Sequence, residues 1–256
     1  MSPQVICMPG GVAPAAQRYA PLVAAVGGRA ELHLKDLEVY RDQTPPPDYS
    51  VDLELAALDR FADSLGLDRF HLVGYSGGGF FSLAYAGTRP ERILSLALFE
   101  PAMVPGDMTA EERALTDAFR AKLNGLDGAQ LMSAFIRAQV KPGVELPPPP
   151  AGPPPPWMVK RPAGIAAGMQ AFFTYQFDRD RFRVCGFPVY LGYGDLTSGM
   201  EVVKAGILAR LFGDIRVQRY PGIHHFVAPE RIYTEEHARA LEELWQRATI
   251  AAPLPA

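Results

Sequence analysis

The chain has little cysteine, no surplus of basic charge and no long apolar run, and each shortage removes a class of function. Its two cysteines among 256 residues, Cys7 and Cys185, cannot supply a disulfide framework. Cys7 lies within a strand-like apolar run and Cys185 just ahead of another, as reduced core thiols would. Lysine and arginine number 25 against 28 aspartates and glutamates, a formal charge of -3. With no run of basic residues to neutralise phosphates, nucleic acid is not an expected partner. No apolar run approaches the ~20 residues that span a bilayer, and the opening "MSPQVICMPGG" lacks the cationic leader of a signal peptide. A cytoplasmic protein without membrane contact is expected. Metal-ligand spacings, glycine-rich phosphate loops and dinucleotide fingerprints are missing as well, so neither a metal nor a cofactor is implied.

What is present is enough apolar residue, 48% of the chain, to bury one substantial core. Short apolar runs alternate with amphipathic stretches: "VICM" then "AAQRYAPLVAAV", "AELHL" then "SVDLELAALDRFADSLG", "FHLVGY" then "FFSLAYAG", and "ILSLALF". Strand followed by helix, repeated, is the mark of a parallel sheet flanked by helices. The rhythm breaks from about 104 to 183, where only helical stretches occur. "TAEERALTDAFRAKLNG" opens on a capping box, Thr109 with Glu112; "AQLMSAFIRAQV" and "AGIAAGMQAFFTYQF" each carry an apolar face. The tract "PGVELPPPPAGPPPPW" between the last two can be neither helix nor central strand, because proline lacks an amide hydrogen, and it reads as an extended polyproline connection. The alternation resumes with "FPVYLGYG", a helix over about 199 to 212, "IRVQRY" and the closing "TEEHARALEELWQRA". The expected organisation is an α/β core over 1–103 and 184–256, interrupted by an all-helical insertion over 104–183.

Within this rhythm, Ser76 stands between "FHLVGY" and a helix in a G-x-S-x-G spacing with Gly74 and Gly78. Glycines on both sides let a strand enter and a helix leave at close quarters, which lifts the central hydroxyl clear of the sheet. A nucleophilic serine needs a base, a carboxylate to orient that base, and donors for the oxyanion it creates. "RYPGIHHFVAP" places His224 and His225 in a loop after the last strand, on the edge where parallel sheets keep their sites. His33 and His71 lie in or beside strands and His237 lies on the final helix, positions that suit structural roles. "MPGGVAP" after the first strand brings Gly11, whose amide would face that of Gly77 across a substrate oxygen.

These residues together resemble the α/β-hydrolases, specifically the members with a helical cap. The likeness runs through the glycine-bearing first turn, the elbow "GYSGGG", the cap after "LALFEPA", the strand "PVYLGYG" and "GIHHF" before the last helix. It implies that Ser76 attacks and that His225 is the base, with His224 as its adjacent alternative. The acid departs from the family pattern, since the position where many relatives carry aspartate is Thr197. Two candidates remain: Asp195, two positions earlier, and Glu100, at the end of the pre-cap strand.

The expected reaction is acyl transfer from a small, largely apolar ester to water. Ser76, His225 and Glu100 or Asp195 would be catalytic, Gly11 and Gly77 would hold the oxyanion, and Tyr75, Phe80, Phe172 and Phe173 would contact substrate. Lyase, C–C hydrolase or perhydrolase chemistry on the same residues, and a ligand-binding protein that only keeps the fold, are the alternatives. Nothing in the sequence distinguishes a monomer from a dimer.

Overall fold

The computed structural model describes residues 2–146 and 153–251. Six parallel strands form one sheet in the order β2-β1-β3-β4-β5-β6: β1 (Gln4–Met8), β2 (Glu31–Leu34), β3 (Phe70–Tyr75), β4 (Ile93–Phe99), β5 (Val189–Gly194) and β6 (Ile215–Tyr220). The helices between them are α1 (Ala15–Val26), α2 (Val51–Ser64), α3 (Gly77–Thr88), α4 (Ala110–Leu123), α5 (Gly128–Ala138), α6 (Arg161–Thr174) and α7 (Met200–Leu211), and α8 (Pro229–Ile232) and α9 (Glu235–Ala251) follow β6.

The central strands β1, β3, β4 and β5 are buried on both faces because helices cover both faces, as a parallel sheet requires, while the edge strands β2 and β6 are partly exposed. Side chains alternate with the pleat. Ile6, Met8, Leu72, Leu96 and Leu98 join one core with Leu55 and Leu58 of α2, Phe80 and Phe81 of α3 and Leu208 of α7. Val5, Cys7, Val73, Ala97 and Tyr190 join the other with Tyr19 and Leu22 of α1 and Leu241 and Trp245 of α9. Helical spacing selects the buried stripe: α1 buries Ala15, Tyr19, Leu22 and Val26. Cys7 and Cys185 are both buried and unpaired.

Chain order reverses direction at β1 and β3: β2 lies to one side of β1, and the chain then crosses to build the other half outward. Loops that leave neighbouring strands in opposite directions open a crevice at the carboxyl edge, and ligands bind there in open α/β sheets. Between β4 and β5 the chain makes α4, α5, α6 and a 3-10 segment over Arg179–Val184. The capping box expected at Thr109 is present, with Glu112 N donating to Thr109 Oγ1 at 3.2 Å and Thr109 N to the Glu112 carboxylate at 2.8 Å. One pairing was not anticipated, an isolated antiparallel bridge from Val140 to Thr197. The centre of the expected polyproline connection, 147–152, lies outside the described residues. Among the described residues no helix is long and apolar enough to cross a membrane.

Candidate active site

β3 ends at Tyr75 and α3 begins at Gly77, so Ser76 alone makes the turn from strand to helix. It does so at φ 54 and ψ -118, and with Glu100 at φ 45 it is one of two non-glycine residues at positive φ among the described residues. Each such conformation costs on the order of 1–3 kcal/mol and persists only where the surroundings impose it. Three backbone hydrogen bonds impose it on Ser76: its amide donates to Phe99 O at 3.2 Å, and its carbonyl accepts from Phe80 N at 3.1 Å and Ala102 N at 2.8 Å. The outer glycines are needed for the close approach. A Cβ on Gly78 would sit 2.4 Å from the carbonyl oxygens of Met8 and Pro9, and one on Gly74 would sit 2.5 Å from Ser82 Oγ.

Five loops at the carboxyl edge bring the chemistry together. Ser76 Oγ lies 3.0 Å from His225 Nε2, and His225 Nδ1 lies 2.6 Å from Glu100 Oε2. The other carboxylate oxygen accepts from Gly194 N at 2.7 Å and from Thr197 Oγ1 at 2.6 Å. Burial would raise the Glu100 carboxyl, but His225, Thr197 and Gly194 donate to it and hold it below its ordinary range. Burial dominates at His225 and lowers its ring despite Glu100. The pair therefore rests as carboxylate and neutral imidazole. An ionised carboxylate can only accept, so Nδ1 carries the proton and Nε2 presents a lone pair to Ser76.

Of the two candidate carboxylates, the one at the imidazole is Glu100. Asp195 is turned away: its oxygens accept from Gly222 N at 2.8 Å and face Arg219 at 3.4 Å, so it ties the His225 loop to the end of β5 from outside. Thr197 is the residue that sequence reasoning missed. It occupies the place where many relatives carry aspartate and instead donates to the carboxylate that arrives from β4. His224 points elsewhere, its Nδ1 accepting from Phe226 N at 3.2 Å.

The oxyanion candidates face one another. A Cβ built on Gly77 would lie 3.8 Å from Gly11 N, and Gly77 opens α3, where amides have no partner inside the helix. Both line the cavity with Ser76.

Two of the expected substrate contacts are elsewhere. Tyr75 lies behind the site: its ring stacks on His225 at 4.9 Å between centroids and its hydroxyl donates to the His225 carbonyl. A strand residue adjacent to the elbow points to the opposite face of the sheet from the pocket, because side chains alternate. Beneath it Arg18 is buried with its guanidinium 3.4 Å over the Tyr75 ring, a clamp with no sequence signal. Phe80 is wholly buried in the core, 4.3 Å from the ring of Phe172, and its neighbour Phe81 takes the cavity position instead. Phe172 and Phe173 do line the cavity, together with Phe119 of α4 and Phe135 of α5. The empty space, open solvent at the mouth included, is about 850 Å³.

The sequence matches the family model described as the alpha/beta hydrolase fold over residues 39–231. No curated protein matches it. Among solved structures, a carboxylesterase from the thaumarchaeon Nitrososphaera gargenis is similar at TM-score 0.71 and 15% identity, covering 98% of this chain and 92% of its own. Carboxylesterase CesB from Bacillus subtilis is similar at TM-score 0.63 and 21% identity, covering 94% and 83%. A meta-cleavage product hydrolase from Pseudomonas fluorescens is similar at TM-score 0.63 and 15% identity, covering 96% and 92%. At these identities the likeness is one of fold.

Proposed function

The chain belongs to the α/β-hydrolase fold family, and from that membership we propose that it hydrolyses carboxylic esters of small, largely apolar molecules through an acyl-enzyme. The observation that carries the proposal is the unbroken relay from Ser76 Oγ through His225 to Glu100, opening on a cavity walled mainly by aromatic and aliphatic side chains.

His225 Nε2 takes the proton as Ser76 Oγ bonds to the acyl carbon, and the amides of Gly11 and Gly77 receive the oxyanion. Glu100 keeps Nδ1 protonated and stabilises the imidazolium. Collapse breaks the bond to the alcohol, which leaves with the proton from Nε2. Water then gives a proton to the same nitrogen, attacks the acyl-enzyme and releases the acid, and the proton returns to Ser76. The segment 104–183 serves as the cap, a reading supported by the side chains that α4, α5 and α6 contribute to the cavity.

A fluorophosphonate probe should label Ser76, and nitrophenyl esters of graded chain length should be turned over. Ser76→Ala should abolish labelling and lower turnover by at least about 10⁴-fold. Labelling that survives in Ser76→Ala refutes the nucleophile. Labelling of the wild type without turnover of any ester moves the reading to C–C cleavage, lyase or perhydrolase chemistry, and absence of both moves it to a binding protein.

A further inference from the structure

The cavity contains two charges that the relay does not use. Glu201 and Lys204 lie one turn apart on α7, with Lys204 Nζ 2.6 Å from Glu201 Oε1 and side chains only 8% and 4% exposed. Both line the cavity that Ser76 faces. Withdrawing two ions from water costs several kcal/mol each before attraction and hydrogen bonds offset it. A substrate cavity is therefore a costly place for a pair that serves only the fold. Burial pushes the Glu201 carboxyl up to about 7 even beside Lys204. Lys204 also donates to the Pro101 carbonyl, and the next residue's amide, Ala102 N, donates to Ser76 O at 2.8 Å. The ammonium is thus anchored to the backbone that carries the nucleophile.

Outside the relay, the charged side chains of the cavity gather on one side of Ser76. On the side of β1 and β2 the walls are Leu37, Val39 and Ile165, with Phe172. On the side of β5 they include Ser198, Met200, Glu201 and Lys204, joined by Gln139, whose carbonyl accepts from Ser198 N at 3.0 Å, and by Phe119 and Phe135 of the insertion. His225 arrives from the loop after β6 and so stands on this second side. In ester cleavage the departing alcohol must receive its proton from His225 Nε2. The alcohol is therefore directed to the side of Glu201 and Lys204, and the acyl chain to the side of Leu37, Val39 and Ile165.

We propose that Glu201 and Lys204 form a subsite for a free hydroxyl on the leaving alcohol, so that the preferred substrates are partial esters of diols or polyols with apolar acids. This rests on the ester-hydrolase reading above and specifies its substrate class. A hydroxyl donates to the carboxylate and accepts from the ammonium, satisfying both partners without adding charge. An alkyl group in the same place displaces water and leaves the pair's remaining hydrogen-bonding capacity unmet. A carboxylate or an ammonium would meet one opposite and one like charge. Sites that hydrogen-bond a substrate hydroxyl discriminate strongly against analogues that lack it.

The test compares 2-hydroxyethyl butanoate with propyl butanoate, two esters of one acid that differ by hydroxyl against methyl. Wild-type kcat/KM should favour the hydroxylated ester by at least about tenfold, the equivalent of ~1.4 kcal/mol. The near-isosteric Glu201→Gln should reduce that ratio several-fold. The double variant Glu201→Leu with Lys204→Met, which removes both charges together and strands neither, should bring it close to one. Equal kcat/KM in the wild type, or a preference that survives in both variants, overturns the subsite and leaves the hydrolase reading intact. Turnover of the nitrophenyl esters but of neither butanoate overturns the subsite alone, and turnover of no ester removes both readings.

Discussion

Glu100 shows how much a single residue's setting decides. Its φ of 45 turns the chain away from the sheet just after β4, while its amide stays bonded to Gly192 O at 3.1 Å. The side chain is thereby held fully buried under the imidazole. Glu100→Gln should lower kcat by about 10³ to 10⁴-fold, because the amide no longer enforces the Nδ1–H tautomer. Asp195→Asn should retain most activity. The reverse order of effects would transfer the role to Asp195. Thr197→Val, which removes one of the three donors to Glu100, should fall between them, and its pH–rate profile should shift while a purely structural loss would leave the profile in place. The sequence favours Glu100 over Asp195 only through the likeness to relatives that carry the acid at the end of the pre-cap strand; the local pattern alone does not separate them. Their difference lies in partners brought from β5 and from the loop after β6.

At the scale of elements, one arginine ties the two ends of the insertion together. Arg179 donates to both oxygens of Glu112 at 2.8 Å and to the carbonyls of Pro105 and Val104 at 2.9 and 3.0 Å. Glu112 is also the acidic member of the capping box of α4, and this second duty was invisible in the sequence because its partner lies 67 residues away. Burial works against the Glu112 charge, yet Arg179 and the Thr109 amide hold its carboxyl below its ordinary value. Breaking one side of a largely buried pair leaves the other charge uncompensated, at a cost of about 3 kcal/mol or more. Arg179→Met should therefore speed hydrogen exchange in α4 selectively, and ester KM should rise more than kcat falls if the cap shapes the alcohol and acyl walls. Unchanged exchange in α4 would show that the helix is held by its apolar face alone.

For the whole molecule, burial of histidine sets the response to acid. His237 has no partner for Nδ1, and burial pushes its ring down to about 3. His71, bonded to Ser95 Oγ at 2.8 Å, is pushed by burial to about 4, and His224 and His225 are lowered as well. A histidine whose folded pKa lies below its unfolded value of ~6.5 protonates more readily in the unfolded chain. Its contribution to stability is complete above that value and is lost as pH falls toward the folded one. The carboxylates held low, Glu100 and Glu112, add their loss only below ~4.5. Glu54 and Glu201, whose carboxyls burial raises, titrate in the opposite sense and offset part of this loss. The lowered histidines outnumber them, so Tm should still decline between pH 6.5 and 4.5, and His237→Phe should flatten that slope without shifting Tm at pH 8 by a comparable amount. An identical slope in the variant would place the acid sensitivity elsewhere.

The sequence by itself determined the architecture. Alternating apolar runs and amphipathic stretches leave a parallel sheet with two helical layers as the arrangement that buries both strand faces, and the glycines around Ser76 mark the one place where strand and helix meet so closely. These are local patterns, repeated along the chain and legible without knowing what lies opposite. Other features are long-range. That Glu100 and not Asp195 meets His225, that Thr197 donates from the place where many relatives carry an acid, that Tyr75 braces the histidine loop from behind, and that Glu201 and Lys204 enter the cavity all depend on side chains from different strands converging at one sheet edge. Strand order and the course of each loop decide which groups converge. The energies that hold them, paired charges and buried hydrogen bonds, exist only once water has been excluded from between them.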